Sequence, residues 1–156
     1  MKKFVWILIL ALAVFATGCV NQPVQESNSP VPEHTEPVSN PEEYIASVRE
    51  QADLIRTSFE QDVLTQLEMN LKSQELYELW DGALNYLLDE LKLRLPEEEF
   101  AKLQEEQQIW VAEKEKYLEG VGDEIGGSLF PFAMNTTAAK LTEERVYQLY
   151  ELLNKQ

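Results

Sequence analysis

The chain has one cysteine, Cys19, and one histidine, His34, both in its first quarter. No nucleophile–base pair can be assembled from the remainder, and metal-ligand spacing of His and Cys is absent. A lone cysteine also excludes an intramolecular disulfide. Basic residues are scarce: 13 Lys and Arg stand against 28 Asp and Glu, for a formal net charge of −15. Such a surface repels phosphate, which argues against nucleic acid and anionic lipid as ligands. It attracts basic proteins, and that attraction fades as salt rises. No segment alternates as a strand does, so no Gly-rich phosphate loop can follow one. Paired carboxylates abound, yet among so many acids no one pair stands out. The expectation is a chain with no catalytic residues, no metal and no cofactor.

What is present begins with an address. Lys2 and Lys3 precede an apolar run from Phe4 to Phe15, followed by Ala16-Thr17-Gly18-Cys19. This is the layout of a secretory signal, too short for a comfortable membrane span. A cysteine directly after Thr-Gly resembles the lipobox of bacterial lipoproteins, with Ala16 where Leu is commonest. The resemblance implies cleavage of residues 1–18 and a diacylglycerol thioether on Cys19. Two acyl chains suffice for stable anchoring outside the cytoplasm. Residues 19–40 carry Pro23, Pro30, Pro32 and Pro37 and little apolar bulk, so they are expected to be a disordered tether. Roughly twenty residues reach at most about 70 Å. His34, alone within it, is expected to be solvated.

Residues 41–156 read as an all-α domain, a small antiparallel bundle of three to four helices. Asn40-Pro41-Glu42-Glu43 marks a helix start, and Tyr44, Ile45, Val48, Ala52, Ile55 and Phe59 form its stripe. Its place in the core is left open by the sequence. Thr65 and Glu68 have capping-box spacing and open a long helix to Leu95. Its expected core stripe is Leu67, Leu71, Leu79, Trp80, Ala83, Leu84, Leu87, Leu88 and Leu91. Pro96 ends that helix and suits the first position of the next, where Glu97, Glu98 and Glu99 complement the helix dipole. The third helix is expected to run to about Glu119, with Phe100, Leu103, Gln107, Trp110, Lys114, Tyr117 and Val121 along one seam. Trp110 is read as its core anchor, worth roughly 3–5 kcal/mol on truncation to alanine. The glycines at 120, 122, 126 and 127 then predict a loop, with Ser128, Leu129, Phe130 and Phe132 as a lid or a partner-binding loop. The last helix is predicted over roughly 136–153, burying Ala138, Leu141, Val146, Leu149 and Leu153.

Five short motifs recur in a familiar order: Glu68-Met69-Asn70, Asp81-x-x-Leu84-Asn85, Leu103-x-x-x-Gln107-x-x-Trp110, Gly126-Gly127-Ser128 with Pro131, and Leu141-Thr142-x-x-Arg145. Together, over about residues 58–153, they resemble the N-terminal domain of the LprI-type lysozyme-inhibitor family of bacterial lipoproteins. That resemblance implies a small helical envelope protein whose founding activity is inhibition of lysozyme. Family members usually carry cysteines where this chain has Lys72, Leu118 or a neighbour, and Thr137; Gln108 replaces a customary Arg. The absent disulfides would contribute about 2–5 kcal/mol, which the core must replace.

Independently of the resemblance, Asp81 and Asn85 share one helix face, and Gln107 and Arg145 lie on or beside the apolar faces of later helices. The expectation is a buried polar network drawn from Glu68, Asn70, Asp81, Asn85, Gln107, Trp110, Thr142 and Arg145. In it Arg145 pairs with Asp81 or Glu68, and Asn85 bonds main chain or Gln107. For function, the leading reading is an envelope-anchored protein-binding module capturing a basic protein such as a lysozyme. The alternative is a structural or assembly scaffold of the envelope without inhibitory activity, and a hydrolase using a Glu pair comes last.

Overall fold

A computed structural model describes residues 40–155. The expected signal peptide (1–18), the lipidated Cys19 and the tether up to residue 39, with His34, lie outside the described residues. Four α-helices and no strand occur among the described residues: α1 (Pro41–Gln61), α2 (Gln66–Arg94), α3 (Glu97–Glu124) and α4 (Phe130–Leu153). Residues 37–156 form a compact unit of their own.

Local chemistry sets most of the boundaries. Asn40 caps α1, its side chain accepting from the Glu42 N–H at 3.0 Å, and Pro41 occupies the first turn, where a missing N–H costs nothing. Thr65 caps α2 through a complete capping box. Its hydroxyl accepts from the Glu68 N–H at 3.3 Å, and the Glu68 carboxylate accepts from the Thr65 N–H at 2.7 Å. The Thr65 hydroxyl also donates to that carboxylate at 2.7 Å, and this bond first, then the one from the Thr65 N–H, holds the Glu68 carboxyl below the usual carboxylate range. Pro96 sits one place earlier than expected, as the cap of α3, with Glu97, Glu98 and Glu99 in the first turn.

Two boundaries differ from the sequence-based expectation. Gly120 and Gly122 do not end α3, which continues to Glu124. A glycine inside a helix costs only about 1 kcal/mol, and Gly122 lies where a Cβ would come within 3.2 Å of Phe130 Cε2. The chain turns instead at Gly127, whose φ of +74° is open to glycine at little cost. A single 3-10 turn, Gly127–Leu129, leads directly into α4, with Pro131 in its first turn. The expected loop through Asn135 is thus mostly helix.

Successive helices run antiparallel, so α2 and α4 run parallel, and theirs is the most extensive packing in the bundle. Asn135 Nδ2 donates to Ser73 Oγ at 3.2 Å and fixes their register. Ser73, Ala138, Ala139 and Thr142 are buried small residues that let the two helices approach closely. Along the same pair, Trp80, Leu84, Leu87 and Leu91 pack with Val146, Leu149 and Leu153 in one core cluster. Helix α1 belongs to that core through Ile45, Val48, Ala52 and Ile55. It is tied to α4 by the Arg56–Glu143 ion pair and by Phe59, whose ring meets Phe132 edge-on at 5.3 Å. Helix α3 adds one buried side chain, Leu103, with Phe100 and Trp110 packed at the core's margin.

The tryptophan at the centre is therefore Trp80, fully buried and 5.8 Å from the Tyr147 ring, and not Trp110, which is half-buried. Trp80→Ala is expected to lower unfolding free energy by about 3–5 kcal/mol in denaturant titration, and Trp110→Ala by distinctly less.

Candidate functional site

Two regions of the bundle carry the residues singled out in the sequence. The first is the seam between α2 and α3, closed from beneath by α4. Tyr77, Asp81 and Asn85 succeed one another along one face of α2. The Tyr77 hydroxyl donates to Asp81 Oδ1 at 3.4 Å, and Asn85 Nδ2 donates to Asp81 Oδ2 at 3.3 Å. Lys114, on α3, lies over the Tyr77 and Trp110 rings, 5.3 and 4.8 Å from their centroids. Burial lowers the Lys114 pKa and raises that of Tyr77; the Asp81 charge raises both. One turn on, Arg145 Nε donates to Gln107 Oε1 at 3.0 Å, and its Nη1 donates to Gln148 at 3.0 Å. Burial lowers the Arg145 pKa, opposed by Glu106.

This arrangement corrects the expected pairing. Arg145 meets Gln107, not Asp81 or Glu68; Asp81 is engaged by Tyr77 and Asn85, and Glu68 is spent on the helix cap. Asn85 reaches Asp81 on its own helix, not Gln107. Asn70 accepts from Gln66 and, through its carbonyl, from the Ser73 hydroxyl, so it too serves α2 locally. Thr142 is fully buried, but its Oγ1, like Trp80 Nε1 and Arg145 Nη2, has no hydrogen-bond partner among the described residues. Thr142 thus lines the α2–α4 contact instead of joining the polar network. The seam opens outward as a groove of about 390 Å³ whose lining includes Asn85, Gln104, Gln107 and Gln108 around Leu88 and Phe100. Among the described residues no group of three or more His, Cys, Asp and Glu could hold a metal ion. No helix there is long and apolar enough to cross a membrane.

The second region is the end of the bundle where α1 turns into α2 and the 3-10 turn enters α4. Of the expected loop residues, Ser128 and Leu129 lie in the 3-10 turn and are exposed. Phe130 is 38% exposed and Phe132 is half-buried on Phe59, so the group divides between display and packing. At the same end are Val63, in the preceding connection, and Leu67 and Leu71, which were expected in the core stripe of α2 but lie on its solvent face, opposite Trp80.

The family model for the lysozyme inhibitor LprI matches residues 58–149. The chain belongs to the LprI family. The match spans the last turn of α1, all of α2 and α3, and α4 as far as Leu149. It takes in both regions; Ile45, Val48, Ala52 and Ile55 of α1, which precede the matched residues of this LprI chain, pack into the same core. Comparison with curated proteins and with solved structures yields no match. With no disulfide available, Ser73–Asn135 is the polar tie between α2 and α4 near the positions of Lys72 and Thr137.

Arg145→Leu is expected to strand the Gln107 carbonyl and lower stability by about 1–3 kcal/mol, read as a fall in Tm. An unchanged Tm would show that the Arg145–Gln107 bond contributes nothing to the fold.

Proposed function

We propose that this protein is a lipid-anchored binding module that captures and inhibits a lysozyme. Membership of the LprI family carries that reading, because the family model is that of a lysozyme inhibitor. The charge supports it: a formal −15, more negative still once Lys2 and Lys3 are removed, accelerates encounter with a strongly cationic enzyme. Cys19 supplies the anchor, through two acyl chains, and residues 20–40 the slack to reach an incoming protein. Inhibition on this reading is steric: the domain covers the enzyme and contributes no chemistry to it.

A second reading, an assembly scaffold that docks another envelope protein, is favoured by one observation. Leu129 and Phe130 are exposed apolar side chains, of the kind that protein interfaces cover. The two readings separate in an inhibition assay.

The unit of residues 37–156 is expected to slow wall lysis by a basic lysozyme at low ionic strength. Raising salt from about 20 to 300 mM should weaken inhibition by at least tenfold, as the screening length falls below 10 Å. Absence of inhibition by the unit across several lysozymes at low salt would leave the scaffold reading.

A further inference from the structure

An exposed leucine on a helix needs no explanation when it stands alone. At one end of this bundle several stand together. Val63 is fully exposed, Leu67 is 66% and Leu71 57% exposed, and Leu129 and Phe130 are 51% and 38% exposed. They share that end because the α1–α2 connection holds Val63, the first turns of α2 hold Leu67 and Leu71, and the 3-10 turn packs on α2. Leu67 and Leu71, one turn apart, lie on the solvent face of α2 with Gln74, Glu75 and Glu78, opposite the buried Ser73, Leu76 and Trp80. Apolar side chains set among polar and charged ones on a face that the fold leaves in solvent point to a surface reserved for something else. The remaining strongly exposed leucines and isoleucine, Leu54, Leu93 and Ile109, are each on a different helix.

The charge around this end identifies the occupant. The exposed acids Glu60, Asp62, Glu68 and Glu75 each lie within about one turn of Val63, Leu67 or Leu71 along the chain, with the partly buried Lys72 among them. An apolar centre within an acidic rim complements a basic surface with an apolar-lined recess, which is the usual layout of a protein interface. The end also faces away from the start of the domain. Asn40 opens α1 at the opposite pole, and the 21 residues of α1 place about 31 Å between them.

We propose that this apolar end, centred on Val63, Leu67 and Leu71 with Leu129 and Phe130 beside them, is the surface that seats the cationic protein. It rests on the capture reading above and names the face that performs it. The acids set the rate of encounter, and the apolar side chains set how long the complex lasts.

The test uses the unit of residues 37–156 and a strongly basic lysozyme as probe, with poly-lysine as a control for charge alone. A triple variant, Val63→Ser, Leu67→Gln and Leu71→Gln, leaves net charge unchanged and alters only exposed positions; circular dichroism and Tm check its fold. Calorimetry is expected to show at least tenfold weaker lysozyme binding, poly-lysine binding within twofold of the parent, and parent-like lysozyme binding by a Leu93→Gln, Ile109→Gln control. A folded triple variant that binds lysozyme like the parent would overturn the surface and leave the capture function standing. A parent unit that binds no lysozyme would overturn both. A parent that sediments as a dimer, dispersed by the triple substitution, would assign the face to a second copy of the chain and overturn the proposal.

Discussion

The close parallel contact of α2 with α4 is the constraint on which the other features depend. Parallel neighbours cannot be joined by a short turn, so α3 must return the chain along the outside of the pair. That explains why Leu103 is the one buried side chain among the described residues of α3, and why a seam stays open toward α2. The contact is possible because Ser73, Ala138, Ala139 and Thr142 present little bulk, while Trp80, Leu87 and Leu149 fill the space farther along. Its polar complement is thin. Trp80 Nε1 and Thr142 Oγ1 are buried without partners, each at a cost of roughly 1–3 kcal/mol, so apolar packing supplies the stability here.

The seam and the apolar end divide the remaining work. In the seam, the motif residues Asp81, Asn85, Gln107, Trp110 and Arg145 mostly satisfy one another or a close neighbour, and they locate α3 against the α2–α4 pair. Side chains committed in this way hold a helix in place more readily than they recognise a ligand. At the apolar end the opposite holds, since Val63, Leu67 and Leu71 are exposed. The motifs that identify the family are thus largely structural, and the surface proposed for binding lies beside them. That separation fits a family whose fold can persist while its partner changes.

Much of this architecture was legible because it follows from local rules. Asn40 and Thr65 announced their helices through capping chemistry, and Pro96 ended α2 by restricting Leu95. The stripe of α2 held from Trp80 to Leu91, but Leu67 and Leu71 did not belong to it: at 3.6 residues per turn they fall on the face opposite Trp80. Gly120 and Gly122 misled: their low helix propensity is overridden by packing, with Phe130 lying close against Gly122. The last helix was expected from about residue 136, yet it begins at Phe130, and Asn135 lies within it, donating to Ser73 across the bundle. The partner of Arg145 was sought among the carboxylates, Asp81 or Glu68, and Gln107 was assigned to Asn85; spacing along each helix does not tell how α3 is rotated, and that rotation brings Gln107 to Arg145. The exposure of Leu67 and Leu71 was legible in the break of spacing between Leu71 and Leu79, whereas that of Leu129 and Phe130 had no local signal.

The central claim is that α2 and α4 touch through small side chains with no room to spare. Denaturant unfolding of Ala139→Leu measures it most directly, with Ala112→Leu on the exposed face of α3 as reference. Overpacking at Ala139 is predicted to cost about 1–3 kcal/mol, while the Ala112 variant stays within about 0.5 kcal/mol of the parent. An Ala139→Leu protein as stable as the parent would mean that the two helices stand farther apart than described, and the account would fail.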